Sequence, residues 1–235
     1  MFSPAQYDGS LLPYKTLCLT FDDGPGETAG TGRGPKTIKL AGYLYSEGIP
    51  ATFFMVGRHI AQYPQLPQQV LNYGHIIGNH TYNHPDFTKP KTFKHGLDMV
   101  SEIKQTEDLI SQFYPNKNVF FRAPYGSWDV EIAATLNQNL STDINYIGPI
   151  GWDINENDWL FWLNELSAEE CAGAYLKKIS EIGRGIIVMH DSTSDHETMR
   201  LNNLTFETVK LLIPQLKHLG YSFVGLQNVP GIKGT

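Results

Sequence analysis

Residues 16–25 read TLCLTFDDGP, a short apolar run that ends in two adjacent carboxylates and a Gly-Pro turn. A run this short, apolar throughout and closed by a turn signal, fits a strand buried on both faces. Working outward from this predicted strand at Leu17–Phe21, similar runs recur at Ala51–Val56, His75–Ile77, Val119–Arg122, Tyr146–Gly151, Gly185–His190 and Ser222–Leu226. Longer amphipathic stretches separate them and predict helices over Pro35–Ser46, Pro64–Tyr73, Thr92–Phe113, Ser127–Leu136, Ala168–Ile182 and Thr205–Leu219. Pro35 as a first-turn residue, Ser167 ahead of Glu169 and Glu170, and Gly48 and Gly220 past the ends mark several boundaries. Strict alternation of strand and helix predicts a parallel sheet with helices packed outside it, either open and doubly wound or closed into a barrel.

The bulk properties narrow the field. The 235 residues are 41% hydrophobic and 18% charged, a globular rather than a disordered composition. A net charge of −6, with lysines and arginines scattered, leaves no basic stripe for nucleic acid. The sequence holds no apolar run long enough to span a membrane, and the opening MFSPAQYDGSLLPYK lacks the basic and apolar parts of a signal peptide. Cys18, inside an apolar run, and Cys171, within a helical pattern, read as small core residues. The glycines of 26–34 lack the spacing of a phosphate-binding fingerprint and read as a loop.

Five clusters carry chemistry. Asp22 and Asp23 follow the first strand; successive strand residues diverge, so both serve one site only if the chain bends there. Their plain alternative is capping of the next turn. His80 and His84, in NHTYNHP, are spaced so that one helical turn or a tight loop brings both rings to one cation. His59, His75, His95, His196 and His218 lack such company and read as structural or solvated. Arg122 in FRAPY ends a strand where a guanidinium can pair bidentately with a carboxylate. The stretch GWDINENDW, residues 151–159, crowds carboxylates and tryptophans that suit sugar stacking or core packing. His190 closes IIVMHD, residues 186–191. Each cluster falls at the C-terminal end of a predicted strand, and in a parallel barrel those ends converge on one face.

TFDDGP, HTYNH, RAPY and the two looser clusters after them occur in the order seen in the carbohydrate esterase family 4 polysaccharide deacetylases, and the chain resembles that family from about Thr16 to about Leu226. The resemblance implies a single-domain α/β fold, a distorted (β/α)7 barrel over residues 16–226. Residues 1–15 would then form an N-terminal extension and 227–235 a C-terminal tail. It implies Asp22 as general base held by Arg122, and Asp23, His80 and His84 as metal ligands. The main-chain N–H of Tyr125 would bind the oxyanion, and His190 would act as general acid, oriented by Asp158 with Asp153 as a rival tether. Trp152, Trp159, Tyr125 and Val188 would line the substrate pocket. Two positions depart from the family pattern: Asn155 stands where an acidic residue is common, and Val188 replaces a leucine beside the acetyl methyl, which leaves more room there.

The chemistry is coherent with these parts. A cation held by two histidines and a carboxylate activates water and polarises an acyl carbonyl; zinc suits the donors, and cobalt or nickel suits them too. Asp22 would accept a proton from the attacking water and His190 would give one to the leaving amine. The expected partner is an N-acetylated saccharide such as a chitin fragment or peptidoglycan glycan, with no nucleic acid, no membrane insertion and a monomeric chain. Acetylxylan esterase activity and a non-catalytic carbohydrate-binding role are the alternatives. Family members are usually extracytoplasmic. The rim loops contribute Tyr82, Phe87, Trp128 and Trp162 as further rings able to stack or to pack.

Overall fold

A computed structural model describes residues 1–93, 98–193 and 195–232; the predicted structural His95 and part of the predicted helix Thr92–Phe113 lie outside the described residues. The strands, in chain order, are β1 (Thr16–Asp22), β2 (Ala51–Met55), β3 (Ile76–Asn79), β4 (Asn118–Phe120), β5 (Asn145–Ile147), β6 (Gly185–His190) and β7 (Ser222–Phe223). Every residue of β1 is buried, as its apolar run demands. It pairs in parallel with β2, with β6 and, through Thr16 and Leu17, with β7, while β3 pairs with β2. A second ladder joins β4 to β5. Single parallel bridges close the ring, Asn79 to Phe121 beyond β4 and Ile154 to Ile187 on β6. This is the expected distorted seven-stranded α/β barrel. Its irregularity has a local cause at β5, where Pro149 has no N–H to continue the ladder that ends at Ile147.

Side chains alternate along β1 as strand geometry requires. Leu17, Leu19 and Phe21 face the helices in the larger core cluster. Cys18 joins Phe54, Phe120, Ile147 and Ile186 in a second cluster, and Leu12, Leu226, Val229 and Ile232 belong to it too. Residues from both ends of the chain therefore help to fill the barrel. Phe2 stacks on Tyr146 at 5.2 Å and meets Phe121 edge-on at 5.0 Å, and Tyr7 bridges to Ile150.

The helices are α1 (Thr37–Ser46), α2 (Gly57–Gln62), α3 (Leu66–Asn72), α4 (Met99–Ile110), α5 (Val130–Asn139), α6 (Asp158–Leu163), α7 (Ala168–Ile182), α8 (Glu197–Leu201) and α9 (Thr205–His218). The predicted bounds hold for α7 and differ by a residue at the end of α9. Helices α4 and α5 start later than predicted because Asp98 and Asp129 cap them, accepting from Ser101 N and from Glu131 N and Ile132 N. Helices α2, α6 and α8 were not predicted; at five or six residues they are too short to display a hydrophobic period. No helix among the described residues is long and apolar enough to cross a membrane.

Candidate active site and metal centre

Asp22 ends β1 level with His190 on β6, so strand register alone brings two ionisable groups 168 positions apart in sequence side by side. Asp23 leaves the strand with φ 72°, and this left-handed residue makes the bend that lets both carboxylates serve one site. The His59 ring, Nδ1 at 2.7 Å from the Asp23 carbonyl, braces that turn. Burial pushes the His59 pKa down, which favours the neutral ring with its N–H on the carbonyl.

Arg122 is fully buried and spends its donors on four acceptors. Nε reaches the Ile150 carbonyl at 3.0 Å, Nη2 the Gly151 carbonyl at 2.9 Å, and Nη1 both Thr20 Oγ1 and Asp22 Oδ1 at 2.8 Å. The pairing with Asp22 is through one nitrogen, not the bidentate fork expected from sequence, because Nη2 is turned to the backbone. The guanidinium also lies 4.3 Å from the Phe54 ring centroid. Removing one member of so buried a pair costs about 3–5 kcal/mol, since the other charge is stranded.

The His80–His84 segment is a tight loop. Thr81 and His84 have φ 65° and 63°, and three donors of the loop converge on one carboxylate of α4: Tyr82 N at 2.9 Å, Asn83 N at 2.6 Å and Asn83 Nδ2 at 2.9 Å from Glu102. The carbonyls of Thr81 and Tyr82 in turn accept from the first two amides of α2. His80 places Nδ1 2.8 Å from the Arg122 carbonyl, which can only accept, so that nitrogen carries the proton and Nε2 presents its lone pair. That Nε2 lies 3.5 Å from Asp23 Oδ1, and His84 Nε2 lies 3.1 Å from the same oxygen.

One ligand atom from each of Asp23, His80 and His84 falls within 4.8 Å of the others, and all three residues are buried. Two imidazoles and a carboxylate in this proximity, with the ring nitrogens behind them tied to acceptors, fit a divalent cation. The charges fit as well. Despite burial, Asp23 and Asp195 raise the His84 pKa to about 10, and Asp23 is held well below the usual carboxylate range despite its own burial, by His84 first. The carboxylates around His84 thus favour positive charge at this cluster.

Next to Asp22 in strand register, His190 is gripped twice by Asp158 at the start of α6, Oδ1 2.6 Å from Nδ1 and Oδ2 2.7 Å from the main-chain N–H. Burial alone would lower the His190 pKa, but Asp158 more than offsets it, with smaller contributions from Asp23 and Asp22, and the pKa rises to about 9. The rival tether Asp153 is elsewhere: its carboxylate accepts from Gly9 N and Ile186 N, both at 2.7 Å, at the opposite end of β6. Asn203 Nδ2 and the Thr205 hydroxyl each donate to the His190 carbonyl at 2.8 Å.

A cavity of about 310 Å³ lies between these groups, small for a binding cleft. Asp22, Asp23, His80, His84 and His190 line it, as do the predicted Tyr125, Trp152, Trp159 and Val188, together with Asn155. Tyr125, in a left-handed turn with φ 59°, lays its ring 4.7 Å from that of His84 and donates its hydroxyl to Asp195 Oδ2 at 2.6 Å. Three of the other rings offered for stacking pack instead, while Tyr82 is half-buried. Trp162 and Phe87 are buried in the larger core, and Trp128 leans on Phe2 and donates to the Ser3 carbonyl. Glu102, His59, Asp195, Asn203 and Thr205 were missed as site-supporting residues. No motif spacing singles any of them out.

A family model for polysaccharide deacetylases matches residues 11–142. A chitooligosaccharide deacetylase of Rhizobium leguminosarum bv. trifolii is 28% identical over 229 residues, covering 95% of this chain and 96% of that protein. Among solved structures, a peptidoglycan N-acetylglucosamine deacetylase in complex with 4-naphthalen-1-yl-N-oxidanyl-benzamide superposes with a TM-score of 0.68 at 25% identity, covering 95% of this chain and 91% of the other. A CE4 family pseudoenzyme from Bacillus anthracis shares the fold with a TM-score of 0.65 at 20% identity, over 97% of this chain and 69% of the other.

Proposed function

The chain belongs to the polysaccharide deacetylase family, and on that footing we propose that it hydrolyses the acetamide of N-acetylglucosamine units in chitin-type oligosaccharides or peptidoglycan. The observation that carries this reading is that Asp22 and His190, side by side in strand register and each held by an opposite charge, line one cavity with the Asp23, His80 and His84 trio. A divalent cation on that trio, zinc foremost and cobalt or nickel as substitutes, supplies an activated water and a polarised acyl carbonyl.

The remaining work falls to the chain. Asp22, paired with Arg122, accepts the proton of the attacking water. The Tyr125 main-chain N–H donates to the oxygen on which negative charge develops. His190, protonated through neutral pH and held in one orientation by Asp158, gives its proton to the departing amine nitrogen, without which the tetrahedral adduct reverts. Trp152 and Trp159 flank the sugar, and Val188 bounds the acyl methyl with more room than a leucine leaves.

The test is acetate release from chitooligosaccharides, peptidoglycan and acetylated xylan, with chelator and after zinc is restored. Metal-restored release from the N-acetylated substrates is expected; release confined to xylan would transfer the reading to ester hydrolysis. Asp22→Asn should abolish turnover and keep zinc bound. No acetate from any substrate with zinc restored would leave the chain a carbohydrate-binding relative without turnover.

A further inference from the structure

We propose that Asp195 is a positioning residue that sets the metal affinity of the site by holding His84 in its ligating orientation, a proposal that rests on the metal-centre reading above. The two histidines of the trio are anchored differently. His80 is fixed by a main-chain carbonyl, that of Arg122, which no side-chain substitution removes. His84 is fixed by a side chain contributed from the far end of the sequence: Asp195 Oδ1 lies 3.2 Å from its Nδ1.

The carboxylate is itself held. Its second oxygen accepts the Tyr125 hydroxyl at 2.6 Å, and the Tyr125 ring packs against the imidazole at 4.7 Å. Asp195, His84 and Tyr125 thus form a closed triangle in which each member restrains the other two. An Nδ1–H donated to a carboxylate leaves Nε2 as the ligating atom, facing Asp23, and raises its basicity. Without Asp195 the ring gains a torsional freedom that cation binding must remove, and its two nitrogens become alternative protonation sites. Asp195 sits five residues after His190, so the loop that leaves the acid histidine also reaches the metal side of the cavity.

The experiment is zinc affinity of the full chain by competition with a chromogenic chelator, for wild type, Asp195→Ala, Asp195→Asn, Tyr125→Phe and His84→Ala. Asp195→Ala is expected to weaken zinc binding by roughly 10–100-fold, the usual consequence of losing the group behind a ligating histidine. Asp195→Asn keeps an oxygen acceptor and should lose less; Tyr125→Phe, which only loosens the carboxylate, should lose least. Saturating zinc should restore most of the turnover lost by Asp195→Ala, which a general folding defect would not permit. Affinity of both Asp195 variants within twofold of wild type, with His84→Ala losing zinc, overturns the proposal and leaves the metal centre standing. Zinc binding unchanged in His84→Ala removes the metal centre and this proposal together.

Discussion

At the residue scale, His190 is the group whose protonation the surroundings define most sharply. Its raised pKa of about 9 against an ordinary 6.5 comes from Asp158, which overcomes the penalty of burial. The contribution to stability, ~3 kcal/mol, is fully present below pH 6.5 and is lost as pH rises through about 9. On the proposed mechanism the same titration sets an alkaline limb for turnover, because the neutral ring has no proton to give. Asp158→Asn should pull that limb toward 6.5 and remove most of the alkaline loss of stability; pH–rate profiles and denaturation from pH 6 to 10 read both. An alkaline limb unmoved in Asp158→Asn would assign the titration to another group.

At the element scale, the His80–His84 loop is an extension of α4 and α2 as much as of β3. Glu102 gathers three of its donors, and the amides of α2 bind two of its carbonyls. Gly57, the first residue of α2, has no space for a side chain, since a Cβ there would collide with Thr106 Oγ1 and meet Tyr82 Cδ2 at 2.5 Å. Glu102→Ala leaves buried donors unmatched and should destabilise by about 3 kcal/mol. It should also weaken zinc binding, because His80 and His84 bracket the loop. Chemical denaturation together with chelator competition checks this, and Glu102→Gln, which retains one acceptor oxygen, should fall between. Equal unfolding midpoints for Glu102→Ala and wild type would show that water serves the loop as well as the carboxylate does.

At the scale of the whole molecule, the barrel is completed by segments that its strands do not contain. Leu12 near one end and Leu226, Val229 and Ile232 near the other join the interior cluster, and Phe2 packs among Phe121, Trp128 and Tyr146. Phe121 is the neighbour of Arg122, so this packing backs the strand end that carries the guanidinium. Phe2→Ala should cost about 3–5 kcal/mol, the usual loss for a buried ring, with a fall in thermal midpoint to match. A midpoint unchanged from wild type would mean that the N-terminal segment rides on the barrel without supporting it.

The alternation of strand and helix, the seven strand positions and the five clusters at strand ends were legible in the sequence, because each is a local pattern: a strand buried on both faces is a short apolar run, and burial on a helix repeats every three to four residues. The grouping of Asp23, His80 and His84 was legible for the same reason, since two histidines four apart and an aspartate at a strand end are local signatures. What the tertiary structure decided were matters of register and contact across long separations. It put Asp158 and not Asp153 on His190, turned one face of Arg122 to the backbone, sent Trp162 and Phe87 into the core, and set Asp195 behind His84. The physical reason is that a side chain's partner is chosen by which strands pair and how far they are shifted, and no spacing along the chain encodes that choice.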